Sequence, residues 1–326
     1  MSSDDGTEGL EEGLNAAAAA GTEPAAKSPP KLPPAPVPTP QSKARKGNEV
    51  FKQTQAPQPG GMESVSRDAA AKQEFGFEIP VDAVPLPSKG LVYPPEHPLH
   101  GAQQVEYRAM TAKEEDILMS EALIKRGTVI TELIKNCLID KSINVNSLLS
   151  GDRNALMVAI RISGYGRAYK PTFVCPECGG KNEMDVDLAD LSVKPMTVEP
   201  VSPGLNAFAF DLPVSKQRVE FKFLTGNEEE VVMKNMESKK KRGMANTNLV
   251  TTRLLSSIVS VNGSDNQGLI ARFVGFMPAR DSLELRKYID KHEPGVDMEV
   301  EFTCTGCDYI DDIQLPMGPS FFWPST

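Results

Sequence analysis

Histidine is scarce in this chain, with three in 326 residues: His97, His100 and His292. That leaves little material for imidazole-based metal or acid–base chemistry. Basic residues are in deficit as well, since 35 Lys and Arg face 44 Asp and Glu, for a net charge of −9. A chain of that sign has no general attraction for nucleic acid or anionic membranes. No apolar run is long enough to span a bilayer. Nor does a basic stretch followed by an apolar one mark a secretory leader. Absent too are a phosphate-cradling glycine loop with its Lys and Ser/Thr, a nucleophile elbow and a His-Glu metalloprotease pattern. Carboxylates are plentiful, but they alternate along strands as solvated faces do. The expectation is a soluble cytosolic protein that is not an enzyme.

Cysteine is also sparse, five in all, yet four of them form two pairs: Cys175-Pro176-Glu177-Cys178-Gly179-Gly180 and Cys304-Thr305-Gly306-Cys307. A two-residue gap lets a tight turn aim both sulfurs at one point, and two such turns supply the four thiolates of a closed tetrahedral zinc site. Cys175, Cys178, Cys304 and Cys307 are therefore the candidate ligands of one structural Zn2+. Thiol–disulfide exchange is the competing reading. It calls for a CxxC at a helix start, where the dipole lowers a thiol pKa. Here glycines and alternating strand patterns flank both pairs. Four sulfurs also leave no open position for catalysis.

The chain reads in four parts. Residues 1–75 hold ten of the 27 prolines and an alanine patch at 16–20. Such a composition buries too little apolar surface to offset the entropy of ordering it, so a disordered, solvated tail is expected, with a docking arm as the alternative. Residues 76–166 are a turn-rich lead-in segment and a helical bundle. Val105-Glu106-Tyr107-Arg108 alternates as a strand, and Thr111-Ala112-Lys113-Glu114 is a capping box. It opens a helix carrying Ile117, Leu118, Ala122 and Leu123 as far as Gly127. A second helix places Ile130, Leu133, Ile134, Cys137 and Leu138 on one face, with Cys137 as a small core residue. A third starts near Ser150-Gly151-Asp152 and buries Leu156, Met157 and Ile160. Asp152, Arg153 and Arg161 read as a helix cap with two solvated arginines, a buried polar network being the alternative.

Residues 167–190 and 296–326 are the two halves of a zinc ribbon. Met184-Asp185-Val186-Asp187-Leu188 alternates as a half-buried strand, and residues 296–303 alternate with a strict period of two into Cys304, with residues 309–315 as the returning strand. Residues 191–295 are an α/β insertion. It has a strand at Val219-Glu220-Phe221-Lys222-Phe223 and a helix from Thr225 with acids at its start and Lys239-Lys240-Lys241-Arg242 at its end, as the helix dipole favours. Residues 249–261 read as a helix whose β-branched content leaves a strand open. A last helix from Pro278 carries Leu283, Leu285, Tyr288 and Ile289 up to Pro294. The ending Ser320-Phe321-Phe322-Trp323-Pro324 is either tucked onto the ribbon or used as an interface anchor. The fold class is thus α+β: a small helical block, then a split four-cysteine zinc ribbon of antiparallel strands interrupted by the insertion.

Several of these stretches, in this order, resemble the T4-type bacteriophage baseplate protein family. They are Leu86-Pro87-Ser88-Lys89-Gly90-Leu91-Val92-Tyr93, Met110-Thr111-Ala112-Lys113-Glu114-Glu115-Asp116-Ile117-Leu118, Ser150-Gly151-Asp152-Arg153, Arg161-Ile162-Ser163-Gly164-Tyr165-Gly166, the Cys175–Gly179 knuckle, Pro278-Ala279-Arg280-Asp281-Ser282 and Phe321-Phe322-Trp323-Pro324. The similarity covers about residues 78–326. It implies a baseplate hub subunit or hub-assembly protein of a contractile-tailed phage, not an enzyme. Its partners would be other phage tail and baseplate hub proteins, with no small-molecule substrate. It would be found in the host cytoplasm during assembly and in the virion tail baseplate. The alternative is a zinc-ribbon nucleic-acid-binding protein using residues 239–242 with Arg280, Arg286 and Lys287.

Overall fold

The computed structural model describes residues 76–241 and 249–323. The proline-rich stretch 1–75, the side chains of the basic run 239–242 and Pro324 lie outside the described residues.

Val81–Pro85 (β1) and Gln104–Arg108 (β2) pair antiparallel with Val84 opposite Val105. The capping box forms as its residue types require: the Thr111 hydroxyl and amide donate to Glu114 at 2.6 and 3.0 Å. Arg108 adds two further bonds to the same carboxylate, at 2.7 and 3.0 Å. Burial alone would raise the Glu114 pKa, but Arg108 and Thr111 outweigh it and hold it at about 2. The helix that follows is shorter than its apolar spacing suggests. It breaks at the extended residue Ser120 into Ala112–Met119 (α1) and Glu121–Arg126 (α2), the latter closed by Gly127 in the left-handed region. No residue of α2 is fully buried and Leu123 packs only in part against the core, so little rewards a straight continuation.

Val129–Cys137 (α3) buries Val129, Ile130, Leu133, Ile134 and Cys137. Burial pushes the Cys137 thiol up to about 12, as befits an inert core residue. Ser150–Tyr165 (α4) is the centre of the molecule, buried along nearly its whole length from Ser150 to Ile162. Its neighbours include α3, β1 and the C-terminal turn at Pro319–Phe322.

Short strands follow: Ala168–Tyr169 (β3), Thr172–Val174 (β4), Lys181–Glu183 (β5), Val186–Asp187 (β6) and Val193–Lys194 (β7). Of the strand expected over residues 184–188 only Val186–Asp187 forms, with β5 lying before it. β5 pairs with β4, β6 pairs with β3, and Leu188–Asp190 closes a 3-10 turn capped by the Asp187 carboxylate. Phe208–Asp211 (β8) and Arg218–Phe221 (β9) lead into Gly226–Lys241 (α5). This helix opens on a second capping box, Thr225 donating to Glu228 through amide and hydroxyl at 2.7 and 2.6 Å. Residues 249–261 divide: Leu249–Ser257 is helical (α6) and the β-branched Ile258–Val261 is a strand (β10). The strand order β10-β9-β8 gives a three-stranded antiparallel sheet. Gln267–Phe276 (α7), which its sequence did not announce, starts at an Asn266 cap. Ala279–His292 (α8), Gly295–Val296 (β11), Glu299–Thr303 (β12) and Ile310–Gln314 (β13) complete the order, β11 pairing with β7 and β12 with β13. The fold is mixed helix with small antiparallel sheets, α+β as expected.

Two polar residues correct the sequence reading. Asp152 is not a helix cap and Arg161 is not solvated; they are 0% and 1% exposed. Asp152 accepts from the Ser88 amide (2.9 Å), the Ser88 hydroxyl (2.5 Å) and the Tyr93 hydroxyl (2.6 Å), which pins the lead-in segment to α4. Loss of hydration raises the Asp152 carboxyl, opposed by those donors. Arg161 donates to the Phe321, Gly166 and Ala168 carbonyls at 3.0, 2.9 and 3.1 Å. Spacing reveals only which face a residue occupies; the chain that covers that face comes from elsewhere. Gly151 is required for the same reason. A Cβ there would stand 1.8 Å from the Pro294 carbonyl oxygen, where residues 294–295 cross α4. Phe321 and Phe322 are 0% exposed in the main core, with Phe321 edge-on to Tyr169 at 5.1 Å. The terminal aromatics are therefore tucked in.

Glu293, just past α8, lines a cavity of about 140 Å³ with Arg253, Leu254 and Ile289. Loss of hydration raises its carboxyl to about 7 from an ordinary 4.5, Glu229 adding to the effect and Arg253 opposing it. A raised folded-state pKa means that the group's contribution to stability is full below about 4.5 and is lost as pH rises through 7, at a cost of up to ~3 kcal/mol. Glu293→Gln should flatten this dependence. Urea midpoints at pH 5 and 8 are expected to fall with pH in the parent more than in the variant, and parallel curves would refute the assignment.

Candidate metal centre

Each cysteine pair sits in a turn between two paired strands. In the first, the Cys175 amide donates to the Gly180 carbonyl and the Gly179 amide to the Cys175 carbonyl, both at 2.9 Å. In the second, the Cys304 amide donates to the Tyr309 carbonyl at 2.8 Å. The residue after each second cysteine takes a left-handed backbone, Gly179 at φ 70° and Asp308 at φ 57°. Glycine does so without a steric penalty, and Asp is among the few other residues that tolerate it. The two turns are therefore alike in construction although far apart in sequence.

The structure brings all four cysteines together. Cys175 Sγ lies 3.6 Å from Cys307 Sγ, and Cys178 Sγ lies 3.6 Å from Cys304 Sγ. All four ligand atoms fall within 4.8 Å of one another, and none of the cysteines is in a disulfide. Sulfurs bound at about 2.3 Å around a tetrahedral zinc stand about 3.8 Å apart. The donor set and its spacing therefore fit a closed four-thiolate site that could hold a metal ion. Among the described residues, no other group of His, Cys, Asp and Glu is clustered this way. The three histidines are engaged elsewhere: His97 with Ser147, His100 with the Tyr93 carbonyl and His292 with Thr197.

The electrostatics of free thiols in this arrangement are uneven. The Gly306 amide on its sulfur is the main cause that lowers Cys304 to about 6. Cys307 goes up to about 12: the Tyr309 backbone favours its thiolate, but lost hydration and the neighbouring sulfurs outweigh that. Four thiolates repel one another at this spacing unless a cation offsets them.

Little else joins the two hairpins. They belong to separate two-stranded sheets, β4-β5 and β12-β13. Their shared core is a satellite of three buried residues, Cys175, Phe302 and Cys304, with Phe173, Met184, Tyr309 and Ile313 around it. A cluster that small supplies too little apolar burial to hold a module together unaided. Asn182, at the centre of β5, is the polar residue that links them. Its carbonyl oxygen accepts from the Thr305 amide and hydroxyl at 2.9 and 2.8 Å, and its amide lies 3.5 Å from Cys304 Sγ. No pattern in the sequence marks Asn182 out, because its partners are more than a hundred residues away.

Of the residues named for nucleic-acid contact, the described ones form no comparable site. Arg280, Arg286 and Lys287 lie on α8, where Arg286 bonds the Ser282 carbonyl and Lys287 pairs with Glu284. Acidic side chains surround the cysteine turns instead: Glu177, Glu183, Glu301, Asp308, Asp311 and Asp312 are all exposed. That sign opposes a phosphate backbone.

Fold and site together define a mixed α+β protein organised on one buried helix, with a four-cysteine cluster assembled from two distant hairpins. The family model for the T4 bacteriophage base plate protein matches residues 92–323, which takes in the central helix and both hairpins. The chain belongs to that family. No curated protein and no solved structure matches it. Among the described residues, no helix is long and apolar enough to cross a membrane.

Proposed function

We propose that this chain is a structural or assembly protein of the baseplate hub of a contractile-tailed bacteriophage, with Cys175, Cys178, Cys304 and Cys307 holding one structural Zn2+. The observation that carries the baseplate role is the family match over residues 92–323. The metal rests on the mutual approach of four thiols within 4.8 Å and on the chemistry of an all-sulfur set, which favours zinc in a closed site. In this reading the chain divides into a tail (1–75), a lead-in segment and helical bundle (76–166), two ribbon halves (167–190 and 296–326) and an insertion (191–295). The metal closes the ribbon and so holds the base of the insertion. Its chemistry there is mechanical, because four protein ligands leave no position for a substrate.

The partners are other tail and baseplate hub proteins, met in the host cytoplasm during assembly and retained in the virion tail baseplate. Proteomics of purified virions and of tail-assembly intermediates tests this. The expected result is the protein in one or both, with defective tails after deletion of its gene. Absence from both, with normal tails in the deletion, overturns the reading.

A further inference from the structure

β5 reads Lys181-Asn182-Glu183, with its two charged residues exposed and Asn182 5% exposed. The buried position lies directly opposite Phe173 on β4, on the face that meets Phe302 of the second hairpin. An apolar residue would be the expected occupant, and burying a side-chain amide there is costly unless each of its polar atoms is bonded. All of them are. The Asn182 amide nitrogen donates to the Gly180 carbonyl (3.0 Å) and points at Cys304 Sγ (3.5 Å), while its oxygen takes both Thr305 donors. One bond thus fixes the first cysteine turn, and the other three reach the second, 122 and 123 residues along the chain. The Gly306 amide, at 3.3 Å, also donates to Cys304 Sγ. The amide fork cannot satisfy itself within its own hairpin. It is satisfied only when the second turn is seated in register, with Cys304 facing Cys178.

We propose that Asn182 is a positioning residue for the four-thiolate site, setting the two half-sites in register and donating to the Cys304 sulfur, and so controlling how tightly and how persistently the metal is held. The proposal rests on the reading that the four cysteines bind a metal. Donors to coordinating groups typically change metal affinity by about 10–100-fold when removed. Asn182 contributes no ligand, so its loss should leave the stoichiometry intact.

The test uses the full chain, loaded with Zn2+ or with Co2+ as a spectroscopic probe, in the parent and in Asn182→Ala and Asn182→Asp. Asn182→Asp keeps both acceptor bonds from Thr305, removes the donor to sulfur and to the Gly180 carbonyl, and adds a negative charge beside Cys304. Both variants should bind one metal per chain with about 10–100-fold weaker affinity in chelator competition and faster release. Their sulfur-to-Co2+ charge-transfer bands should move to lower energy, because a thiolate that loses a hydrogen bond is a better electron donor. A role confined to packing would weaken binding but leave the bands unmoved in Asn182→Ala, which adds no charge. If the parent binds no metal, the metal reading itself fails. If the parent binds one and both variants match it in affinity, release and spectrum, the Asn182 proposal alone is overturned. Should Asn182→Ala not fold, Asn182→Asp decides.

Discussion

Each of the four changes Cys175→Ser, Cys178→Ser, Cys304→Ser and Cys307→Ser is expected to abolish bound zinc, and to do so equally from either pair. The measurement is metal content by mass spectrometry of protein purified without added metal, with about one zinc per chain in the parent. Apparent zinc-binding energies of about 10–16 kcal/mol are seen in small four-ligand peptides. The total stability of a domain is typically about 5–15 kcal/mol. A contribution of that size in a pair of hairpins whose shared core is three buried residues must dominate it locally. The main core belongs to α3, α4 and the three-stranded sheet and contains none of the four ligands. Metal loss should therefore accelerate amide exchange in β4, β5, β12 and β13 by well over about tenfold while α3 and α4 stay protected, which is sub-global opening rather than unfolding. Zinc lost from one pair of variants only would refute a shared site. Iron in place of zinc would keep the clasp and change the ion.

Arg161→Met is expected to destabilise the protein by about 2–4 kcal/mol in urea or guanidinium titrations. The counter-argument is real, since replacing a buried charge by an apolar side chain of similar volume is often neutral. Here the partners decide against neutrality. The guanidinium satisfies three backbone carbonyls at 2.9–3.1 Å, and Met would leave the buried Phe321 carbonyl without a donor at about 1–3 kcal/mol, while Gly166 and Ala168 are exposed enough to regain water. Arg161 also stacks 5.3 Å from the Tyr165 ring centroid, an attraction that disappears with the charge. Arg161→Lys should recover only part of the loss, because one ammonium cannot reproduce a planar fork aimed at three acceptors. The Phe321 carbonyl belongs to the C-terminal turn, so limited proteolysis should remove the end of the chain faster in Arg161→Met than in the parent. A change below about 1 kcal/mol, with the C-terminus still protected, would show that the fork is dispensable.

Both predictions depend on interactions that the linear chain conceals to different degrees. The capping box at Thr111 and Glu114 was legible because its partners are three residues apart, and no tertiary context is needed to form it. The buried stripe of α3 was legible from its period, and the two cysteine turns from their spacing and the strands beside them. The helix over residues 249–261 was half legible. The run of Ile258, Val259 and Val261 favours a strand locally, and pairing with β9 decided the matter from Ile258 onward. The break at Ser120 was missed because apolar spacing continues through it, although beyond the break that face is covered only in part, at Leu123. α7 was missed because its only start signal is the single Asn266 cap.

The sequence by itself determined the components: where helices begin, which strands alternate, which four thiols are paired two by two, and a family resemblance spread over most of the chain. Those are local properties, set by neighbours within a few residues. Only the tertiary structure decided that Asp152 and Arg161 are buried, that Gly151 admits a crossing strand, and that Asn182 spans the two cysteine turns. In each case a polar or small residue is matched by a partner from a distant part of the chain. No periodicity records such a match, because its energy arises only when both segments have lost their water together.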